Sequence, residues 1–105
     1  MRYKSIEEKM EILERMRKQP ICQFDGITID MDYALCIPSI HATCKEQEMI
    51  IDFGGGIRQQ TESFPKDKAS TLIRWVLLHK EEIANNHHRI NFNNEPPIMI
   101  EPYKE

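Results

Sequence analysis

The 105-residue sequence predicts an α+β fold, and three patterns carry that prediction. An amphipathic helical pattern opens the chain, a two-residue alternation begins near residue 21, and a second helical stripe begins after Pro65. Turn signals between the alternating runs indicate antiparallel pairing. We therefore expect an N-terminal helix, an antiparallel sheet of three or four strands, one long helix packed on the apolar face of the sheet, and an extended C-terminal tail.

The N-terminal helix is predicted from its cap and its stripe. Ser5 and Glu8 have the spacing of a capping box, in which each side chain satisfies a free backbone donor. Pro20 ends the segment. We assign residues 1–20 to an N-terminal amphipathic helix that the core fold does not require, and residues 21–105 to a single small α+β domain. The apolar stripe consists of Ile6, Met10, Leu13 and Met16.

Alternating apolar and polar residues predict the strands. Asp25-Gly26 is a tight-turn signal, so residues 21–24 and the run after Gly26 should form a hairpin. Residues 40–44 and 49–53 flank a polar turn at residues 45–48, and residues 57–62 could add one more edge strand. In the hairpin, the inward positions are Ile27, Ile29, Met31 and Tyr33, and they alternate with Thr28, Asp30 and Asp32.

Gly54-Gly55-Gly56 separates two of these runs. A glycine-rich loop can cradle a phosphate, but here no Gly-Lys-Ser/Thr motif follows and no helical pattern begins. We therefore interpret the three glycines as a wide turn or a β-bulge.

The second helix carries the most informative pattern of the chain. Its core-facing stripe runs to about Asn85, which would place His87-His88 after the helix end, where protonated imidazoles favour the helix dipole. Beside this stripe, one large aromatic and three polar residues share a face at positions i, i+4, i+7 and i+11. These four residues are Trp75, His79, Glu82 and Asn86.

The C-terminal residues 91–105 are rich in asparagine and proline, with Ile98-Met99-Ile100 as their apolar anchor. An extended tail has no backbone ladder of its own, so its polar groups need side-chain partners. We expect Trp75 to be a packing residue, and we expect its helix face to hold residues 95–102.

Composition excludes several classes of function. Hydrophobic residues make up 40% and charged residues 30%, as in ordinary globular proteins. The formal net charge of −3 argues against general nucleic-acid binding and against binding to anionic membranes. No apolar signal segment or membrane-spanning run occurs, and three cysteines without a C-x-x-C pair indicate free thiols in the cytoplasm.

Several motifs together resemble a family of small bacterial proteins, domain of unknown function 4160, over residues 26–103. The strand end Ile51-Asp52-Phe53 and the tail Ile100-Glu101-Pro102 match the family pattern. Pro38-Ser39-Ile40-His41 matches its first segment, but Ser39 stands where the family usually has a histidine, and His87 where a second tryptophan is common. The helix pattern is matched by Trp75, His79, Glu82, Ile83 and Asn86.

The resemblance implies a bacterial, cytoplasmic protein associated with toxin–antitoxin-like gene pairs, and it supplies no catalytic residues. Our first hypothesis is accordingly a protein-interaction module of such a two-gene system, which binds a small protein partner encoded nearby. The sequence also allows a homodimer. Binding residues on this hypothesis are His41, Arg74, Trp75 and Asn86.

The alternative is a small hydrolase, a toxin of the ribonuclease type. His79 and Glu82 would act as acid and base, and Arg74 would stabilise phosphate. We expect no cofactor and no metal, because His41 and Cys44 are three residues apart on a strand and point to opposite faces. If His41, His79 and Glu82 share one exposed cleft, the enzyme is favoured; if they lie apart, the interaction module is favoured.

Overall fold

The computed structural model describes residues 19–32 and 36–104. Within these ranges the protein has an α+β fold with one antiparallel five-stranded sheet and two helices. The α+β class and the antiparallel sheet are therefore confirmed. Residues 1–18 of the predicted N-terminal helix and the strand position Tyr33 lie outside the described residues.

The sheet is a meander, in which each strand pairs with the next one along the chain. It has five described strands where we expected three or four, because residues 20–24 and 57–60 both pair with their neighbours. The strands are β1 (Pro20–Phe24), β2 (Ile27–Asp32), β3 (Ser39–Cys44), β4 (Gln47–Asp52) and β5 (Ile57–Gln60).

The β1–β2 hairpin turns at Asp25-Gly26, as predicted. Both residues have positive φ values, 51° and 75°, which is the geometry of a type I′ turn and matches the twist of the flanking strands. Phe24 lies opposite Ile27 across this turn. The register then continues so that Ile29 pairs with a core position on the next strand, Ala42.

Two helices cover one face of the sheet. Helix α1 (Lys66–Leu78) contacts β4, and helix α2 (Lys80–Asn93) contacts β2 and β3. A hydrophobic core of strand and helix side chains fills the space between the two layers. From the helices the buried residues are Ala69, Leu72, Trp75, Val76, Ile83, Asn86 and Ile90.

The helical region differs from the prediction of one long helix. It divides at His79, whose φ of −116° and ψ of 23° are not helical. The His79 N–H still reaches the carbonyls of Trp75 and Val76, and the Ile83 N–H donates to the His79 carbonyl. Backbone hydrogen bonds therefore cross the division and connect α1 to α2.

The helical region also continues to Asn93, past the predicted end near Asn85. His87 and His88 therefore lie inside α2, and their assignment to the helix end is wrong. Partial burial, and then the charge of His88, lowers the pKa of His87 below its usual value. The helix ends at Asn94, which adopts the left-handed conformation with a φ of 53°.

Residues 94–104 contain neither helix nor strand. Their first part bonds α2 through Asn86 and Arg89, and their last part contacts β1. The Ile100 N–H donates to the Ile21 carbonyl at 2.7 Å, and the Ile100 side chain is buried in the core. Tyr103 packs against Phe24, with 6.3 Å between ring centroids. Neither α1 nor α2 has the length and apolar composition that a membrane crossing requires.

Candidate functional site

Trp75 and Asn86 hold the tail through its backbone. Trp75 is fully buried, as predicted for a packing residue, and its Nε1–H donates to the Glu101 carbonyl at 2.8 Å. The Asn86 amide donates to the Ile98 carbonyl at 2.9 Å and accepts from the Ile98 N–H at 2.8 Å. Because a side-chain amide has the same donor and acceptor as a peptide group, buried Asn86 acts on Ile98 as a neighbouring strand would.

His79 and Glu82 bond each other and not the tail. The His79 Nδ1 lies 2.6 Å from a Glu82 carboxylate oxygen, and the His79 ring lies 5.3 Å from the Trp75 indole, centroid to centroid. Neither side chain hydrogen-bonds residues 94–104, so the prediction that they bind tail backbone is wrong. Their contact has the geometry in which a carboxylate fixes the tautomer of an imidazole.

His41 projects from the opposite face of the sheet. It alternates with buried Ile40 and Ala42, so its ring points away from the helices. Its Nδ1 lies 3.0 Å from Asp30 on β2, and its Nε2 lies 3.2 Å from Glu48 on β4. The hydrogen bond to Asp30 raises the pKa of His41; partial burial opposes this rise, while the charge of Asp30 and the contact with Glu48 add to it.

The six candidate residues do not share one cleft. Trp75, His79, Glu82 and Asn86 lie in the helix layer, whereas His41 lies on the far side of the sheet. Arg74 is exposed on α1 and lies five positions before His79. Five positions correspond to about 140° around a helix axis, which directs the two side chains to different sides. By the test set above, this arrangement favours the interaction module over the enzyme.

Asp52 fills the glycine loop between β4 and β5. Its carboxylate accepts hydrogen bonds from the N–H groups of Gly54 and Gly56, both at 3.0 Å, and it pairs with Arg58 at 3.0 Å. The loop donors that a phosphate would need are therefore already bonded. The three glycines form a turn, and a register irregularity follows where β4 meets β5.

The outer edge of β5 is a surface feature that the sequence patterns did not predict. Among the described residues no strand pairs with this edge, and we call it the free edge. All four residues of β5 are exposed, and β5 is the last strand in the sheet order. A groove of about 460 Å³ runs from this edge toward His41. We call it the edge groove; its lining includes His41, Glu48, Ile50, Gln59, Gln60 and Thr61.

The described residues contain no group of three histidine, cysteine or acidic side chains that could hold a metal ion. In comparisons with known proteins, neither a family model, nor a curated protein, nor a solved structure matches the chain. The resemblance to domain of unknown function 4160 therefore stays a prediction.

Proposed function

We propose that this chain is a protein-interaction module that binds a small protein partner by adding a strand to β5. The family resemblance makes that partner the product of a neighbouring gene in a toxin–antitoxin-like pair, in the cytoplasm of a bacterium. The observation that carries the proposal is the exposed edge of β5. An extended segment can pair with such an edge through backbone hydrogen bonds.

The direction of the backbone groups supports strand addition. The Thr61 N–H donates to the Glu48 carbonyl, so the backbone of Thr61 faces β4. Adjacent residues of an antiparallel strand direct their backbone groups to opposite sides. The N–H and C=O groups of Gln60 therefore point away from β4, toward the position that a partner strand would take.

Apolar side chains beside the free edge offer further contact area. Ile57 and Leu77 are each about half exposed. Ile57 pairs with buried Ile51, so it lies on the helix-covered face of the sheet. A β-carbon placed at Gly55 would lie 3.2 Å from Leu77, which shows that the glycine loop and α1 approach closely here. A bound strand could cover these side chains with its own apolar face.

The test is co-expression of the chain with the protein encoded beside it. Gln60→Pro removes the outward N–H and leaves the inward ladder of β5 intact, because proline is tolerated at edge positions whose N–H faces solvent. Gln60→Ala is the matched control, since it shortens the side chain and keeps the N–H. We expect wild type and Gln60→Ala to co-purify with the partner, and Gln60→Pro to lose it.

Two outcomes would overturn this proposal. One is equal co-purification by the proline and alanine variants, which would place the partner elsewhere. The other is a change in oligomeric state: the wild-type chain sediments as a dimer, and the Gln60→Pro variant sediments as a monomer. That result would assign the edge of β5 to a second copy of the chain.

A small hydrolase of the ribonuclease type is the second candidate function, and the 2.6 Å contact between His79 and Glu82 favours it. A carboxylate on Nδ1 leaves Nε2 for proton transfer to a substrate. The test is cleavage of labelled single-stranded RNA by wild type, His79→Ala and Glu82→Gln, with exposed His88→Ala as the control. If this candidate is right, the wild-type chain cleaves the RNA, and the rate falls by about 100-fold or more in His79→Ala and Glu82→Gln. The rate of the His88→Ala control stays unchanged.

A further inference from the structure

We infer that the segment which pairs with β5 carries a lysine or arginine, and that this cationic side chain lies in the edge groove and binds Glu48. The inference rests on the proposed function, because it specifies the chemistry of the partner at the same edge.

The edge groove connects the free edge to a carboxylate. Gln59 and Gln60 line it on β5, and Glu48 lines it on β4, one strand further in. Neighbouring strands lie about 5 Å apart, so an added strand would lie roughly 10 Å from β4. A short side chain on that strand cannot bridge this distance, whereas a lysine or arginine side chain that meets an extended Glu48 can.

Glu48 can accept a further hydrogen bond from a cationic side chain. Its side chain is 62% exposed, and its contact with His41 is long, at 3.2 Å. His41 is held from its other side by Asp30, so it does not depend on Glu48 alone. A guanidinium or ammonium group at Glu48 would form a charge-assisted hydrogen bond, which is about twice as strong as a neutral one.

The lining of the edge groove and the net charge of the chain both favour a basic side chain on the partner. Ile50 lines the groove, and long cationic side chains pack their methylene stems on apolar surface while the charged end stays near water. The net charge of −3 attracts a basic partner at longer range. An acidic segment would instead place like charges together at Glu48.

The experiment uses two short synthetic peptides as probes. One alternates valine with lysine, and the other has glutamine at every lysine position. Each is titrated into the ¹⁵N-labelled full chain while the amide signal of Arg58 is followed in every variant. The amide signal of Gln60 is followed as well, except in Gln60→Pro, where proline has no N–H. The chain is tested as wild type, Glu48→Gln, Gln60→Pro and Glu46→Gln. Glu46→Gln is the matched control, because Glu46 is exposed in the adjacent turn and outside the edge groove.

We expect the lysine probe to bind wild type about tenfold more tightly than the glutamine probe, the effect of one hydrogen bond to a charged group. Glu48→Gln should remove this preference, and Glu46→Gln should keep it. Equal binding of both probes by wild type would overturn the inference, and so would equal loss of preference in the Glu46 variant.

The Gln60→Pro variant separates the two proposals. If both probes bind wild type equally and neither binds Gln60→Pro, strand addition at β5 stands and the basic side chain is excluded. If neither probe binds wild type, or if Gln60→Pro binds both as wild type does, the proposed function fails as well.

Discussion

β1 and β5 are the two edge strands of one sheet, but they meet different surroundings. The outer side of β1 lies beside the tail, which bonds Ile21 through the Ile100 N–H and buries the Ile100 side chain. β5 has only exposed residues, and no described residue pairs with its outer side. Exposed edges promote unwanted pairing between chains, so proteins usually cover or interrupt them.

The contrast shows what closing an edge requires. The tail forms only one described backbone hydrogen bond to β1, and its position depends on side chains of the helices, namely Trp75 and Asn86. Among the described residues no comparable segment lies along β5, and after residues 61–65 the chain enters α1. An edge is therefore closed here by anchors outside the sheet, and the edge without anchors is the one we assign to a partner.

The largest effect on the free energy of unfolding should follow from removing Trp75, the main anchor of the tail that covers β1. Trp75→Ala should lower the free energy of unfolding by about 3–5 kcal/mol, because it leaves a cavity in the core and removes the bond to Glu101. Leu78→Ala on the same helix is the control and should change it by less than about 0.5 kcal/mol. Urea unfolding measures both. A Trp75→Ala effect below about 1 kcal/mol would contradict the burial of this residue.

The next effect concerns Asn86, whose side chain bonds both the N–H and the C=O of Ile98 in the tail. Asn86→Ala should cost about 1–3 kcal/mol and should speed amide exchange at Ile98 and Ile100, while exchange in β4 stays unchanged. His79→Ala is the comparison, because His79 makes no hydrogen bond to the tail. Equal acceleration of exchange in both variants would show that His79 also holds the tail.

A smaller effect on the free energy of unfolding should come from His41 on β3, and it should depend on pH. Because its folded pKa is raised, His41 stabilises the fold fully below its ordinary pKa of 6.5, and this stabilisation is lost as the pH rises through the folded pKa. The difference in unfolding free energy between wild type and His41→Gln should therefore shrink as the pH rises from 6.5 through the folded pKa. A difference that grows with pH would mean that folding lowers the pKa of His41. An NMR titration of the His41 ring measures this pKa directly.

The smallest effect should occur at the open edge. Gln60→Pro should change the free energy of unfolding by less than about 1 kcal/mol, because the N–H it removes has no partner among the described residues. Thermal or urea unfolding beside Gln60→Ala checks this. A loss of several kcal/mol would mean that the Gln60 N–H bonds within the chain, and that this edge is not free.

Local patterns predicted much of the fold because each depends on neighbours in the chain. Asp25-Gly26 supports positive φ at both turn residues, which sets the first hairpin. Alternation placed Ile40 and Ala42 in the core and His41 outside it. The tail has no backbone ladder of its own, so the sequence predicted that side chains on the helix face would bond its backbone. Trp75 and Asn86 form these bonds.

The break at His79 was not predictable from such patterns. The buried positions Val76, Ile83 and Ile90 keep their spacing across the break, and no proline or glycine interrupts α1 or α2. The sequence alone therefore indicates one continuous helix. The division coincides with a change of packing partner, since α1 contacts β4 whereas α2 contacts β2 and β3. Such contacts join residues far apart in the chain, so a local pattern does not predict them.

By itself, then, the sequence determined the α+β class, the antiparallel hairpins, the burial of Trp75 and the attachment of the tail, since periodicity and turn residues act over a few positions. The tertiary structure decided the position of His41 between Asp30 and Glu48, the separation of His41 from His79, and the strand that kept a free edge. These features depend on strand register and packing, which join residues far apart in the chain, and a linear pattern does not encode such pairings.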